Sequence, residues 1–230
     1  MLKMIFLCHR RPDIDHGEYA RRVLEDHVPL ALRHHPTMRH YVVNIVDRIE
    51  MAGSAEIDSI AELSFESLAD YRDRLYDSDA GRRIIGEDVA RFMHAAEAYA
   101  CSEHVHVGAA LADDALAREA PFKLVVALTR HSRLSHESFV EQWLTRHAPL
   151  ALERHPGLVR YVTNVVDSRL SPEGEDFDGI AELHFASEAA FVADLYRQAA
   201  GLRLIEADMP DFLGSVQGWI VSEHIVKARP

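Results

Sequence analysis

His27-Val28-Pro29-Leu30-Ala31-Leu32 is followed, 120 positions later, by His147-Ala148-Pro149-Leu150-Ala151-Leu152. The same offset lays His35-Pro36 on His155-Pro156, and Tyr41-Val42 with Asn44 on Tyr161-Val162 with Asn164. It also lays Ile60-Ala61-Glu62-Leu63 on Ile180-Ala181-Glu182-Leu183, and Ser102-Glu103-His104 on Ser222-Glu223-His224. No gap is needed. Roughly a third of the pairs from Lys3 to His104 are identical, far above chance, and most unlike pairs keep their polarity. Two copies of so long a period mean a duplicated domain, not a solenoid. The first repeat is expected over 1–107 and the second over 122–230. An Ala- and acid-rich linker, 108–121, joins them without hydrophobic alternation of its own.

Working outward from the repeated stretch, each copy opens with a short apolar run, Met4 to Cys8 or Leu124 to Leu128, of strand length. Asp15 with Glu18 three residues later, and Ser135 in the second copy, mark helix starts. Tyr19, Val23 and Leu24, like Phe139, Trp143 and Leu144, recur at helical spacing. Pro29 and Pro149 predict a break or kink just past His27 and His147, because a residue before proline is biased away from helical dihedrals. Two β-rich segments follow, Met38 to Asp47 and Asp58 to Phe65, with 158–167 and 178–185 as counterparts. Loops holding Gly53 and Gly174 join them as hairpins. Ser67 and Ser187 open a second helical region, interrupted at Gly81 and Gly201, and Ala98 to Val105 or Gly218 to Ile225 reads as a last strand. The order is βαββαβ, the ferredoxin-like α+β pattern. Two helices cover one face of such a sheet, so the bare face must pack on another sheet, and the covalent second copy is at hand. The expected architecture is an intramolecular dimeric α+β barrel with a ligand pocket in the lumen between the sheets.

Composition narrows the function. The chain of 230 residues is 48% apolar and 27% charged, with a net charge of −12. That balance opposes nucleic-acid binding and a polybasic membrane anchor, both of which need clustered Lys and Arg. No stretch approaches the roughly 20 apolar residues of a membrane span. Met4 to Cys8 is too short for a signal-peptide core, so a cytoplasmic location is expected. Two cysteines, Cys8 and Cys101, make no disulfide scaffold, and their aliphatic counterparts Leu128 and Val221 mark them as core positions.

Taken together, the His-x-Pro-Leu turn, the Tyr-Val strand and the Asp-x-Ile-Ala-Glu-Leu-x-Phe strand resemble the EthD family of the dimeric α+β barrel superfamily. Both copies carry the pattern. The resemblance implies a cofactor-free barrel acting on small aromatic, lactone-like or polyketide-like molecules. Related barrels include isomerases, cyclases, decarboxylases, dehydratases and quinone-forming monooxygenases. The family's recurring His falls on His27 and His147, and its second-strand Tyr on Tyr41 and Tyr161. Some isomerase relatives carry a third-strand Cys; Leu63 and Leu183 stand in that neighbourhood, which counts against a thiol mechanism.

The residues themselves leave alternatives open. His27 and His147 carry the side chain able to exchange a proton near neutrality, as general acid or base, or else they cap a broken helix. Tyr41 and Tyr161 either polarise a substrate carbonyl or pack in the sheet. Glu62 and Glu182 are expected on the lumen as substrate-binding groups, or in an ion pair with an Arg such as Arg39. His184 shares their parity where the first copy has Ser64, which tilts the expectation towards the second repeat as the more competent site. Tyr99 and Trp219 are expected as lumen wall or core. His104 and His106 alternate on one strand face, yet no third ligand completes a metal set, so no metal is expected. His34 and His35 read as a solvated helix end, and His9, His40, His94 and His131 as surface residues. The expected partner is a small-molecule substrate, bound by a monomeric pseudo-dimer or a homodimer. Isomerisation, cyclisation or elimination by a cofactor-independent enzyme is the leading expectation; a non-catalytic binding barrel and a cofactor-free monooxygenase are the rivals.

Overall fold

The computed structural model describes residues 1–108, 120–195 and 207–229. Most of the linker, and the interruption expected at Gly201, lie outside the described residues. The first repeat runs β1 (Leu2–Arg10), α1 (His16–Arg21), a π-helical turn (Arg22–His27), α2 (Val28–His34), β2 (His40–Ile49), β3 (Ser59–Phe65), α3 (Leu68–Arg74), α4 (Asp79–Val89) and β4 (Met93–Val107). The second runs β5 (Phe122–Arg130), α5 (His136–Gln142), a π-helical turn (Trp143–His147), α6 (Ala148–Arg154), β6 (Leu158–Arg169), β7 (Gly179–Phe185), α7 (Glu188–Leu195) and β8 (Leu213–Lys227). The strands close into one antiparallel barrel in the order β1-β3-β2-β8-β5-β7-β6-β4. The halves meet along two seams, β2 with β8 and β4 with β6.

Helix starts follow local chemistry. Asp15, Ser67, Ser78 and Ser135 each accept a backbone N–H three residues on. The break expected at Pro29 and Pro149 does not occur. Val28 (φ −53°, ψ −48°) and Ala148 (φ −62°, ψ −44°) are helical, and the helix runs through both prolines. Just before each proline the ladder widens by one residue: Val28 N–H bonds the Val23 carbonyl and Ala148 N–H the Trp143 carbonyl. The π turn thus shifts the carbonyls that a proline ring would strike in an α-helix. Gly81 is likewise not a break, since it lies inside α4. A Cβ there would strike Asp77 Oδ1 and stand 2.8 Å from His34 Nδ1, so the absent side chain leaves room for the His34–Asp77 pair between α2 and α4.

Period-2 alternation sorts each strand between two cores. On β1, Met4 and Cys8 face the helices, while Ile5 and Leu7 face into the barrel; on β5, Leu124, Val126 and Leu128 face the helices, and Val125 and Ala127 point inward. The barrel interior is a core shared by both repeats, with Tyr99, Phe177 and Trp219 among its rings. This corrects the expected hollow lumen: eight strands enclose a space that side chains can fill, and here they fill it. A remnant of about 20 Å³ persists near Glu182 and His184.

Candidate functional site

The roomy space is elsewhere, between the sheet and the helices of the first repeat. A cavity of about 190 Å³ lies there, with walls that include Phe6, Tyr19, Tyr71 and Phe92. His27, His35, Tyr41 and Ser59 add polar edges, and among the described residues no Lys, Arg, Asp or Glu lines it. The π turn ends at His27 and sets its ring on this wall. His27 Nδ1 lies 3.0 Å from Asp88 Oδ2, on α4. A carboxylate only accepts, so Nδ1 carries the proton and Nε2 keeps its lone pair. Burial lowers the His27 pKa below its ordinary value, and the Asp88 hydrogen bond only partly opposes that shift. The ring is therefore neutral near pH 7, the state a base requires.

His35, expected at a solvated helix end, is buried and lines the same cavity. Its Nδ1 lies 3.1 Å from the Leu75 carbonyl, which fixes the proton on that nitrogen. The buried Tyr41 hydroxyl has no hydrogen-bond partner among the described residues, whereas that of Tyr19 bonds Ser59 Oγ at 2.7 Å. Cys8 also lines the cavity; burial pushes its thiol up to about 11, which keeps it protonated and unreactive.

The second repeat keeps the dyad, and among its described residues a tryptophan takes up the space. His147 Nδ1 lies 3.0 Å from Asp208 Oδ2, and burial again lowers the His147 pKa. Trp143, the counterpart of Val23, is fully buried in the volume that stays open in the first repeat. Gly179 replaces Ser59 to admit it: a Cβ at residue 179 would stand 2.2 Å from Trp143 Cζ3. Among the described residues the open site is thus in the first repeat, against the expected tilt towards the second.

A family model for the EthD domain matches residues 11–96 and 131–215, one match per repeat and most of the chain together. The chain belongs to the EthD family. No curated protein matches its sequence. Among solved structures it resembles an anthrone oxidase-like protein (TM-score 0.66, 11% identity, covering 98% of this chain and 92% of the other). A protein of Fusobacterium nucleatum subsp. nucleatum named for monooxygenase activity gives TM-score 0.62, 7% identity and coverage of 99% and 93%. A mutant chlorite dismutase of Candidatus Nitrospira defluvii gives 0.50, 11%, 96% and 91%. At such identities the likeness is one of fold.

The remaining candidates of this tandem EthD chain lie away from the cavity. Glu62 and Glu182 sit inside the barrel and hold lysines, not the Arg39 considered from sequence. Lys3 reaches Glu62 (2.7 Å), Glu182 (2.5 Å) and Glu103 (3.0 Å), while Lys123 reaches Glu62 (2.7 Å), Glu182 (2.9 Å) and Glu223 (2.6 Å). Asn44 and Asn164 each donate to a central carboxylate at 2.8 Å. Burial alone would lower the Lys3 pKa, but Glu182, Glu62 and Glu103 outweigh it and raise the value. His184 Nε2 lies 3.2 Å from Glu223. Glu182, His184 and Glu223 bring possible ligand atoms within 4.8 Å of one another, but the lysine ammonium groups already occupy these carboxylates. Tyr99 and Trp219 are core residues; the Tyr99 hydroxyl meets Glu97 and the Glu175 carbonyl, and Trp219 Nε1 donates to the Ala55 carbonyl. Tyr161 packs in the helix-side core of the second repeat. Of the metal pair weighed from sequence, His104 is exposed and His106 bonds Thr163 Oγ1 at 2.9 Å. His40, expected at the surface, is buried. Among the described residues no helix is long and apolar enough to cross a membrane.

Proposed function

We propose that the first repeat is a cofactor-independent enzyme site in which His27, oriented by Asp88, removes a proton from a small neutral aromatic or enolisable compound. The carrying observation is a His–Asp pair, 3.0 Å apart, half-buried at His27 and buried at Asp88, on the wall of a cavity with no charged side chain among the described residues. The neutral imidazole takes a proton from a carbon or oxygen acid through Nε2, and the bonding electron pair stays on the substrate as an enolate. Asp88 stabilises the imidazolium so formed. The Tyr41 hydroxyl donates to the oxygen that gains charge. Return of the proton to a different atom is an isomerisation; departure of a leaving group from the enolate is an elimination. Neither consumes an oxidant.

The folds shared with the anthrone oxidase-like protein and the monooxygenase-named protein support a second branch. There the carbanion adds to O2, the peroxide takes back the imidazolium proton, and loss of water leaves a carbonyl. Oxygen uptake separates the branches. In either case His27→Ala is expected to lower turnover about 10²–10⁴-fold while ligand binding persists. Unchanged turnover in His27→Ala overturns the reading, and binding without conversion of any enolisable aromatic makes the chain a carrier.

A further inference from the structure

The second repeat shows what its own version of the cavity holds. Trp143 lays a planar, fused, uncharged ring system between sheet and helices, 5.5 Å from the Phe139 ring, in the same buried cluster as Tyr161. In the first repeat the wall is equivalent: Tyr19 stands for Phe139, Tyr41 for Tyr161 and Phe92 for Phe212. Only the occupant is missing, because Val23 stops short, and the Tyr41 hydroxyl is left without a partner among the described residues. The space, about 190 Å³, exceeds the roughly 150 Å³ of an apolar cavity known to admit benzene, so a second fused ring has room. A charged ligand would lose its hydration without gaining a counter-ion, since among the described residues the lining carries no Lys, Arg, Asp or Glu.

We infer that the first-repeat cavity takes an uncharged, planar aromatic of about the size of indole, seated as the Trp143 ring is seated, with a hydrogen-bonding group against the Tyr41 hydroxyl. The inference deepens the proposed function by naming a ligand class for the same site, and it rests on that reading only for the site's location.

Indole itself is the probe, titrated into the whole chain by calorimetry. One indole per chain is expected, with indole-2-carboxylate bound at least tenfold more weakly. Val23→Trp with Ser59→Gly transplants the plug and is expected to abolish binding; Trp143→Val with Gly179→Ser is expected to raise the stoichiometry to two. Should these pairs disturb folding, Tyr41→Phe answers separately. It should weaken indole about tenfold and leave 1-methylindole, which lacks the donor, unchanged. No binding of indole to the unaltered chain, or equal loss of both probes in Tyr41→Phe, overturns the inference. Indole binding that survives in His27→Ala, alongside undiminished turnover in that variant, would sink the proton-transfer reading and leave this one standing.

Discussion

His27 and His147 make the same 3.0 Å contact to an aspartate and each packs on a phenylalanine ring, Phe92 at 5.3 Å and Phe212 at 4.8 Å between ring centres, yet only the first is seen to border open volume among the described residues. A bond present in both repeats has a structural duty in both: it ties the end of the π turn to the helical segment before the last strand. Only in the first repeat is there room for it to orient a base as well. Asp88→Asn removes the charge that stabilises the imidazolium and reverses the preference for a protonated Nδ1. Its turnover is expected to drop by about 10²-fold or more, with the acid limb of the pH profile displaced; a change in stability alone would make Asp88 a structural residue only. Burial lowers the pKa of His27, His35, His147 and His155. The unfolded chain therefore binds protons more readily in weak acid. The stability these groups contribute is complete above the ordinary histidine value of about 6.5 and drains away as pH falls below it towards their folded values. Urea unfolding at pH 7.5 and 5.5 should show it, with a smaller loss in His27→Gln; pH-independent midpoints would contradict it. His27 and Tyr41 were legible in the sequence because they belong to a repeated motif. Asp88 was missed: Asp208 repeats it 120 positions on, but its pairing with His27 spans 61 residues and no local pattern announces it.

The elements were read well where local chemistry decides them and poorly where a tertiary neighbour does. Asp15 and Ser135 cap helices as their sequences suggest, and Asp15→Ala is expected to cost about 0.5–2 kcal/mol in denaturant unfolding. A null effect would mean that the α1 end is held by packing alone. Pro29 misled because the proline rule assumes α-helical spacing, and the π turn evades the clash by displacing the carbonyls. Gly81 misled for a related reason: a glycine within a helix can mark a close neighbour, here His34, as readily as an end. His35 was placed in solvent because its own segment is polar, whereas burial comes from Leu75 and Tyr76, some 40 residues on.

For the molecule as a whole, the barrel was legible from the duplication and its contents were not. Alternation showed that Glu62 and Glu182 face inward, but not that Lys3 and Lys123 arrive from both repeats to meet them. Each lysine bridges the halves, so the charged centre works as a two-sided clasp. Lys123→Ala leaves Glu62, Glu182 and Glu223 buried with less compensation. It is expected to destabilise the chain by about 3–5 kcal/mol in equilibrium unfolding, and a loss below about 1 kcal/mol would show that water or a neighbouring cation takes over. The plugged second repeat has a consequence for heredity. In an assembly of two identical chains every substitution is installed twice, so a tryptophan that stiffened one subunit would also close the other. Joined in a single polypeptide, the copies mutate independently; one can be given over to ballast while its twin keeps a vacancy, a division of labour closed to any symmetric pair.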